Sequence, residues 1–221
     1  MGTRHLIIVK NEGEVKVAQY GQWDGYPDGV GTDIVNFLHN IRDPDLMEVF
    51  KRRVNLCQWA TQDEIDSINE AIEIASTDDP PEGFTLNSIF PEFSRDTSWK
   101  VLWLILNGKE NYLHTTKAQD YINGIQISQH NGYQWQPAID NKDTKTLLNN
   151  GMDFGNDRTF CEWAWVIDLD ENKLECYSGG RQVDGPKGIF EEFDDPVRLQ
   201  ASFDLPLTVE YADFVVLCTP K

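Results

Sequence analysis

Arg4-His5-Leu6-Ile7-Ile8-Val9-Lys10, then Asn11-Glu12-Gly13, then Glu14-Val15-Lys16-Val17-Ala18-Gln19-Tyr20 is the stretch from which the fold can be read. It consists of two extended runs around a turn, with Gly13 where a hairpin wants a positive φ. Leu6 to Val9 is continuously apolar, the pattern of a strand covered on both faces. Val15, Val17 and Tyr20 keep the return strand partly apolar.

The next strong strand patterns lie near the other end of the chain. Trp163, Trp165, Ile167 and Leu169 alternate with Ala164, Val166, Asp168 and Asp170, and Lys173 to Tyr177 returns after Glu171-Asn172, which predicts a second hairpin. Val197, Leu199, Ala201 and Phe203 alternate again, and Phe214-Val215-Val216-Leu217 reads as a closing buried strand.

Helices fill the interval. One begins near Thr32-Asp33 and carries Ile34, Phe37, Leu38 and Ile41 on one side. A second opens at Asp43-Pro44, a cap followed by proline, with Leu46, Val49 and Phe50 facing inward. A third starts at the capping box Thr61-x-x-Glu64 and continues through Ile65, Ile68, Ile72 and Ala75. Ser76 to Gly83 is a proline-stiffened loop, and Trp99 to Leu106 reads as a buried helix stopped by Asn107-Gly108, with a central strand as the alternative. Tyr112 to Asn150 reads as short strands and polar loops. Strands, then helices, then strands predict a single α+β domain over 1–221, in which the first hairpin pairs with far-end strands and helices pack on the sheet.

Composition narrows the function classes. Nineteen basic against thirty-seven acidic residues give a formal charge of −18, which repels a nucleic-acid backbone and an anionic membrane surface. No apolar run reaches the roughly 18 residues of a membrane span, and the start lacks a signal-peptide core, so a cytoplasmic location is expected. Cys57, Cys161, Cys176 and Cys218 are scattered without Cys-x-x-Cys spacing and read as buried thiols, with neither metal nor cofactor expected.

Tyr20-Gly21-Gln22-Trp23-Asp24-Gly25-Tyr26-Pro27-Asp28-Gly29 is the candidate site. It is too apolar for a linker and too polar for a core strand, and such loops shape pockets or contact surfaces. Trp23 and Tyr26 are expected to stack on a small polar ligand, with Gln22, Asp24, Arg4 and Glu162 orienting it. His5 beside Asp24 would serve as a general base, although neighbouring strand residues Arg4 and His5 must point to opposite faces. Asp168-Leu-Asp170-Glu-Asn172 begins like a calcium loop but has Lys173 where glycine is required, so it reads as an acidic hairpin turn. Cys161-Glu162 has no neighbouring cation in sequence to activate the thiol.

Thr3 directly before a buried strand, with a hairpin returning and the Gln22-Trp23-Asp24 loop arriving at the second strand's end, resembles the opening of N-terminal nucleophile (Ntn) hydrolases. That resemblance implies a layered αββα sandwich and an amide-cleaving Thr3 whose own α-amine is the base. Two features depart from it: Thr3 becomes terminal only if the Gly2–Thr3 bond is cut, and its basic neighbour is Arg4 rather than a lysine. Arg4-His5-Leu6, the segment Ala18 to Pro27, and Phe160-Cys161-Glu162-Trp163-Ala164-Trp165-Val166-Ile167-Asp168-Leu169-Asp170 are also similar to segments of a widespread, uncharacterised family of microbial and viral proteins. That likeness carries over no catalytic residue. Two functions are therefore expected from different classes. One is a ligand-binding domain that hydrolyses an amide-like bond. The other is a non-catalytic acidic protein that docks on a basic partner, such as a viral inhibitor of a host nucleic-acid-binding protein.

Overall fold

A computed structural model of the chain describes residues 2–77, 93–107 and 145–220. Five strands form one sheet: β1 (His5–Asn11), β2 (Glu14–Gly21), β5 (Trp163–Asp168), β6 (Lys173–Ser178) and β7 (Arg198–Asp204), in the order β2-β1-β5-β6-β7. A separate parallel pair joins β3 (Cys57–Trp59) to β4 (Thr146–Leu148). β1 runs parallel to β5, with His5 opposite Trp163 and Lys10 opposite Asp168, and every other neighbour in the large sheet is antiparallel. The first hairpin thus pairs with the far-end hairpin, and the class is α+β.

Both faces of β1 are covered, as its apolar run requires: Leu6, Ile7, Ile8 and Val9 have no exposed surface. Ile7, Val9, Trp165 and Ile167 face the helices α1 (Thr32–Asn40), α2 (Pro44–Asn55), α4 (Lys100–Asn107) and α5 (Tyr211–Cys218). Leu6, Ile8, Ala164 and Val166 face the other way, toward the short 3-10 turns at Met152–Asn156 and Gly188–Phe190. Among the described residues that second face also meets Trp59 of β3.

Local signals set the helix starts. The Asp43 carboxylate accepts the Asp45 N–H at 3.0 Å, capping α2, and Thr61 and Glu64 exchange bonds at the start of α3 (Gln62–Thr77). Ile34, Phe37, Leu38 and Ile41 are buried along α1 and just past its end. Among the described residues, no helix is long and apolar enough to cross a membrane. The faces of Ile72 and Ala75, the loop over 78–83 and the short strands expected over 112–144 lie outside the described residues.

The expected closing strand is instead α5. Phe214 and Cys218, four residues apart, are buried, while Val216 and Leu217 are 70% and 54% exposed. A strand would bury every second residue. One helical face buries residues at i and i+4. Phe214 packs on Trp165 with ring centroids 5.9 Å apart, which fixes α5 on the sheet.

Candidate functional site

β2 ends at Gly21, directly opposite His5. A Cβ on Gly21 would fall 2.2 Å from His5 Nε2, and one on Gly25 would fall 2.7 Å from His5 Cβ, so the imidazole is held between two bare stretches of backbone. The Gly25 N–H donates to the Thr3 carbonyl at 3.1 Å, and the Gly25 carbonyl accepts from Trp165 Nε1 at 3.0 Å. Asp24 adopts φ 55° and its carbonyl accepts the Val30 N–H at 2.9 Å, turning the chain toward α1. The glycines therefore face inward. Trp23 and Tyr26, 51% and 42% exposed, project outward with Asp24.

His5 is fully buried. Its Nδ1 lies 3.3 Å from the Thr3 carbonyl and its Nε2 2.6 Å from Ser98 Oγ. A carbonyl only accepts, so Nδ1 carries the hydrogen and Nε2 accepts the Ser98 hydroxyl proton. Burial pushes the imidazole pKa down to about 4, against a smaller opposing effect of the Thr3 carbonyl, so the ring is neutral near pH 7. Both ring nitrogens are thereby occupied, and Asp24 is not the partner of His5.

Ser98 sits immediately ahead of α4 at φ 51°, a left-handed conformation that is uncommon outside glycine. It belongs to a charged neighbourhood. Burial pushes the Asp33 carboxyl up to about 6, with Lys100 pulling it down and Asp24 pushing it further up. Burial lowers the Lys100 pKa, with Asp33 and Asp96 acting against that. Trp23 Nε1 donates to Asp96 Oδ1 at 3.1 Å, tying the exposed indole to the same segment. Ser98, Asp33, Asp96 and Lys100 carry no signal in the sequence, where Asp96-Thr97-Ser98 is only a polar lead into a helix. Contacts such as Ser98–His5, across 93 residues, leave no local trace.

The remaining candidates divide by strand register. Thr3 is buried, with its carbonyl engaged by Gly25 and His5. Arg4 points to the face opposite His5, its guanidinium 4.6 Å above the Phe160 ring and its backbone N–H donating to Glu162 Oε1 at 3.2 Å. Arg4 and Glu162 thus come together, but on the other side of the sheet from His5. Gln22 accepts the Tyr20 hydroxyl at 2.6 Å and donates its backbone N–H to the Arg95 carbonyl at 3.2 Å, bridging the two sides. A small cavity of about 80 Å³ opens there between Tyr20, Arg95 and Asn149.

The acidic turn at 168–172 is occupied structurally. Asp170 accepts the N–H groups of Glu12 and Gly13 at 2.7 and 2.9 Å, and Lys10 binds Asp168 at 2.9 Å, which joins the tips of the two hairpins. All four cysteines are free and buried. Burial raises the Cys161 thiol far above its ordinary range, the reverse of what a nucleophile needs. Compared with protein families, curated proteins and solved structures, the chain matches none.

Proposed function

We propose that the 20–31 corner and the residues leading into α4 bind a small polar ligand and cleave an ester- or amide-like bond in it, with Ser98 as nucleophile and His5 as base. The observation that carries this reading is the 2.6 Å contact between Ser98 Oγ and His5 Nε2, with Nδ1 anchored on the Thr3 carbonyl. A nucleophile, a neutral base and a group that orients the base are the three parts such chemistry requires. Attack of Oγ on the carbonyl carbon would pass the hydroxyl proton to Nε2. His5 would return it to the leaving group, and water would then release the acyl group from Ser98. Ser98 and His5 are both buried, at 8% and 0% exposure, so this chemistry requires the corner to open enough for a substrate to reach both Oγ and Nε2. Trp23 and Tyr26 offer exposed aromatic faces for a planar or sugar-like group, and Asp24 and Gln22 supply hydrogen bonds beside them. Arg4 and Glu162 fall outside this set.

A fluorophosphonate probe tests the assignment directly. Wild type should be labelled, with the adduct on Ser98 by mass spectrometry, and folded Ser98→Ala should not be. An unlabelled wild type, or equal labelling of Ser98→Ala, would overturn it. A second reading, a non-catalytic protein docking on a basic partner, draws on Glu191, Glu192, Asp194 and Asp195, four exposed carboxylates within five residues. Association of that kind weakens steeply with salt, and salt-insensitive capture would exclude it.

A further inference from the structure

Away from the corner, α1 and the segment leading from β7 into α5 line a partly open cavity of about 500 Å³. That volume falls within the range of small-molecule sites, roughly 300–1,000 Å³. Val35 and Leu38 of α1 form one wall, and Leu207 and Val209 form the other. All four are aliphatic, so the interior offers no hydrogen bond to a polar guest from these side chains. The polar side chains on the cavity are Asn36 and His39 of α1, Arg42 just beyond its end, and Tyr211 of α5.

His39 and Arg42 are joined. Arg42 Nη1 lies 2.5 Å from His39 Nε2 and 3.2 Å from its Nδ1, within reach of a hydrogen bond to the imidazole. That contact uses one guanidinium nitrogen. Arg42 lines the cavity, and its Nη2 and Nε are not used in that contact. A planar guanidinium presented this way matches a carboxylate, which it can hold through two parallel bonds.

We propose that this cavity binds a small amphiphilic carboxylate, with a medium-chain hydrocarbon tail between α1 and the 205–209 segment and its carboxylate on Arg42. The chemistry of the walls selects the tail and the guanidinium selects the head. The protein's overall negative charge opposes an anion at long range, but that field is screened beyond about 8 Å at physiological salt, whereas the Arg42 contact is direct. The site is independent of Ser98 and His5.

Decanoate titrated into the intact protein by calorimetry is the test, with decanol as the uncharged counterpart. Wild type should bind decanoate saturably at one site. Arg42→Ala, at an exposed position that leaves the core untouched, should weaken decanoate at least tenfold while leaving decanol unchanged. Val35→Trp, which fills the cavity, should abolish binding of both in a protein that still unfolds cooperatively. Absence of saturable decanoate binding, equal loss of decanoate and decanol in Arg42→Ala, or unchanged binding in folded Val35→Trp would each overturn the proposal.

Discussion

His5 places an unusual demand on the fold, because a titratable ring is enclosed with only a carbonyl and a hydroxyl as partners. The imidazole pKa drops from its ordinary 6.5 to about 4 in the folded protein, and burial is the cause. Between those values the unfolded chain takes up a proton that the native chain refuses. Stability from this group is therefore complete above pH 6.5 and is lost as the pH falls through about 4. At about 1.4 kcal/mol for each tenfold ratio, the loss amounts to roughly 3 kcal/mol. Asp33 acts with the opposite sign, since its carboxyl is raised to about 6 and the native state keeps that proton longer than the unfolded chain does. Asp33→Asn removes this opposing contribution. Urea unfolding of Asp33→Asn should therefore lose more stability between pH 7 and pH 4.5 than wild type does. Equal slopes would show that the Asp33 carboxyl is not raised, and an imidazole that titrates near 6.5 by NMR would show that the ring is not sealed.

Among the elements, the glycine-rich corner shows why its role could not be read from composition. Its aromatics and carboxylates suggest an open site, and Trp23, Asp24 and Tyr26 are indeed exposed. Its glycines, however, serve the core: Gly21 and Gly25 allow the backbone to close over His5. Two substitutions separate packing from backbone freedom. Gly13, at φ 77° with open space where a methyl group would stand, should cost only about 1 kcal/mol as alanine, the ordinary penalty of a left-handed residue. Gly21→Ala, whose methyl would lie 2.2 Å from the imidazole, should cost several times that, in the range of about 3 kcal/mol for overpacking. Chemical denaturation ranks the two, and equal costs would mean that the corner can open without penalty. The helix starts were legible because Asp43, Thr61 and Glu64 bond within their own first turns. The last element was misread because Phe214 to Leu217 is too short an apolar run to carry a period, and the decisive pair, Phe214 and Cys218, extends beyond it.

Across the whole molecule, the fold class was legible because Leu6 to Val9 requires cover on both faces and the intervening sequence has helical periods. The alternating far-end runs offered strands to lie beside it. The Ser98–His5 contact was not legible, since nothing near either residue announces the other. The same long-range closure joins two acidic hairpin tips, the Glu12 and Gly13 N–H groups on Asp170 and Lys10 on Asp168. In a chain carrying −18 overall, compaction crowds like charges more than it creates pairs. Raising sodium chloride from ~0.02 M to ~0.5 M shortens the screening length from about 20 Å to about 4 Å and should relieve that repulsion. If the relief is worth ~1 kcal/mol, the melting temperature should rise by roughly 2–4 °C for a chain of this size. Potassium chloride should act alike, because the effect depends on ionic strength and not on ion identity. A melting temperature that falls with either salt would instead mean that attractive pairs, Lys10–Asp168 and Arg158–Asp195 foremost, outweigh the net repulsion.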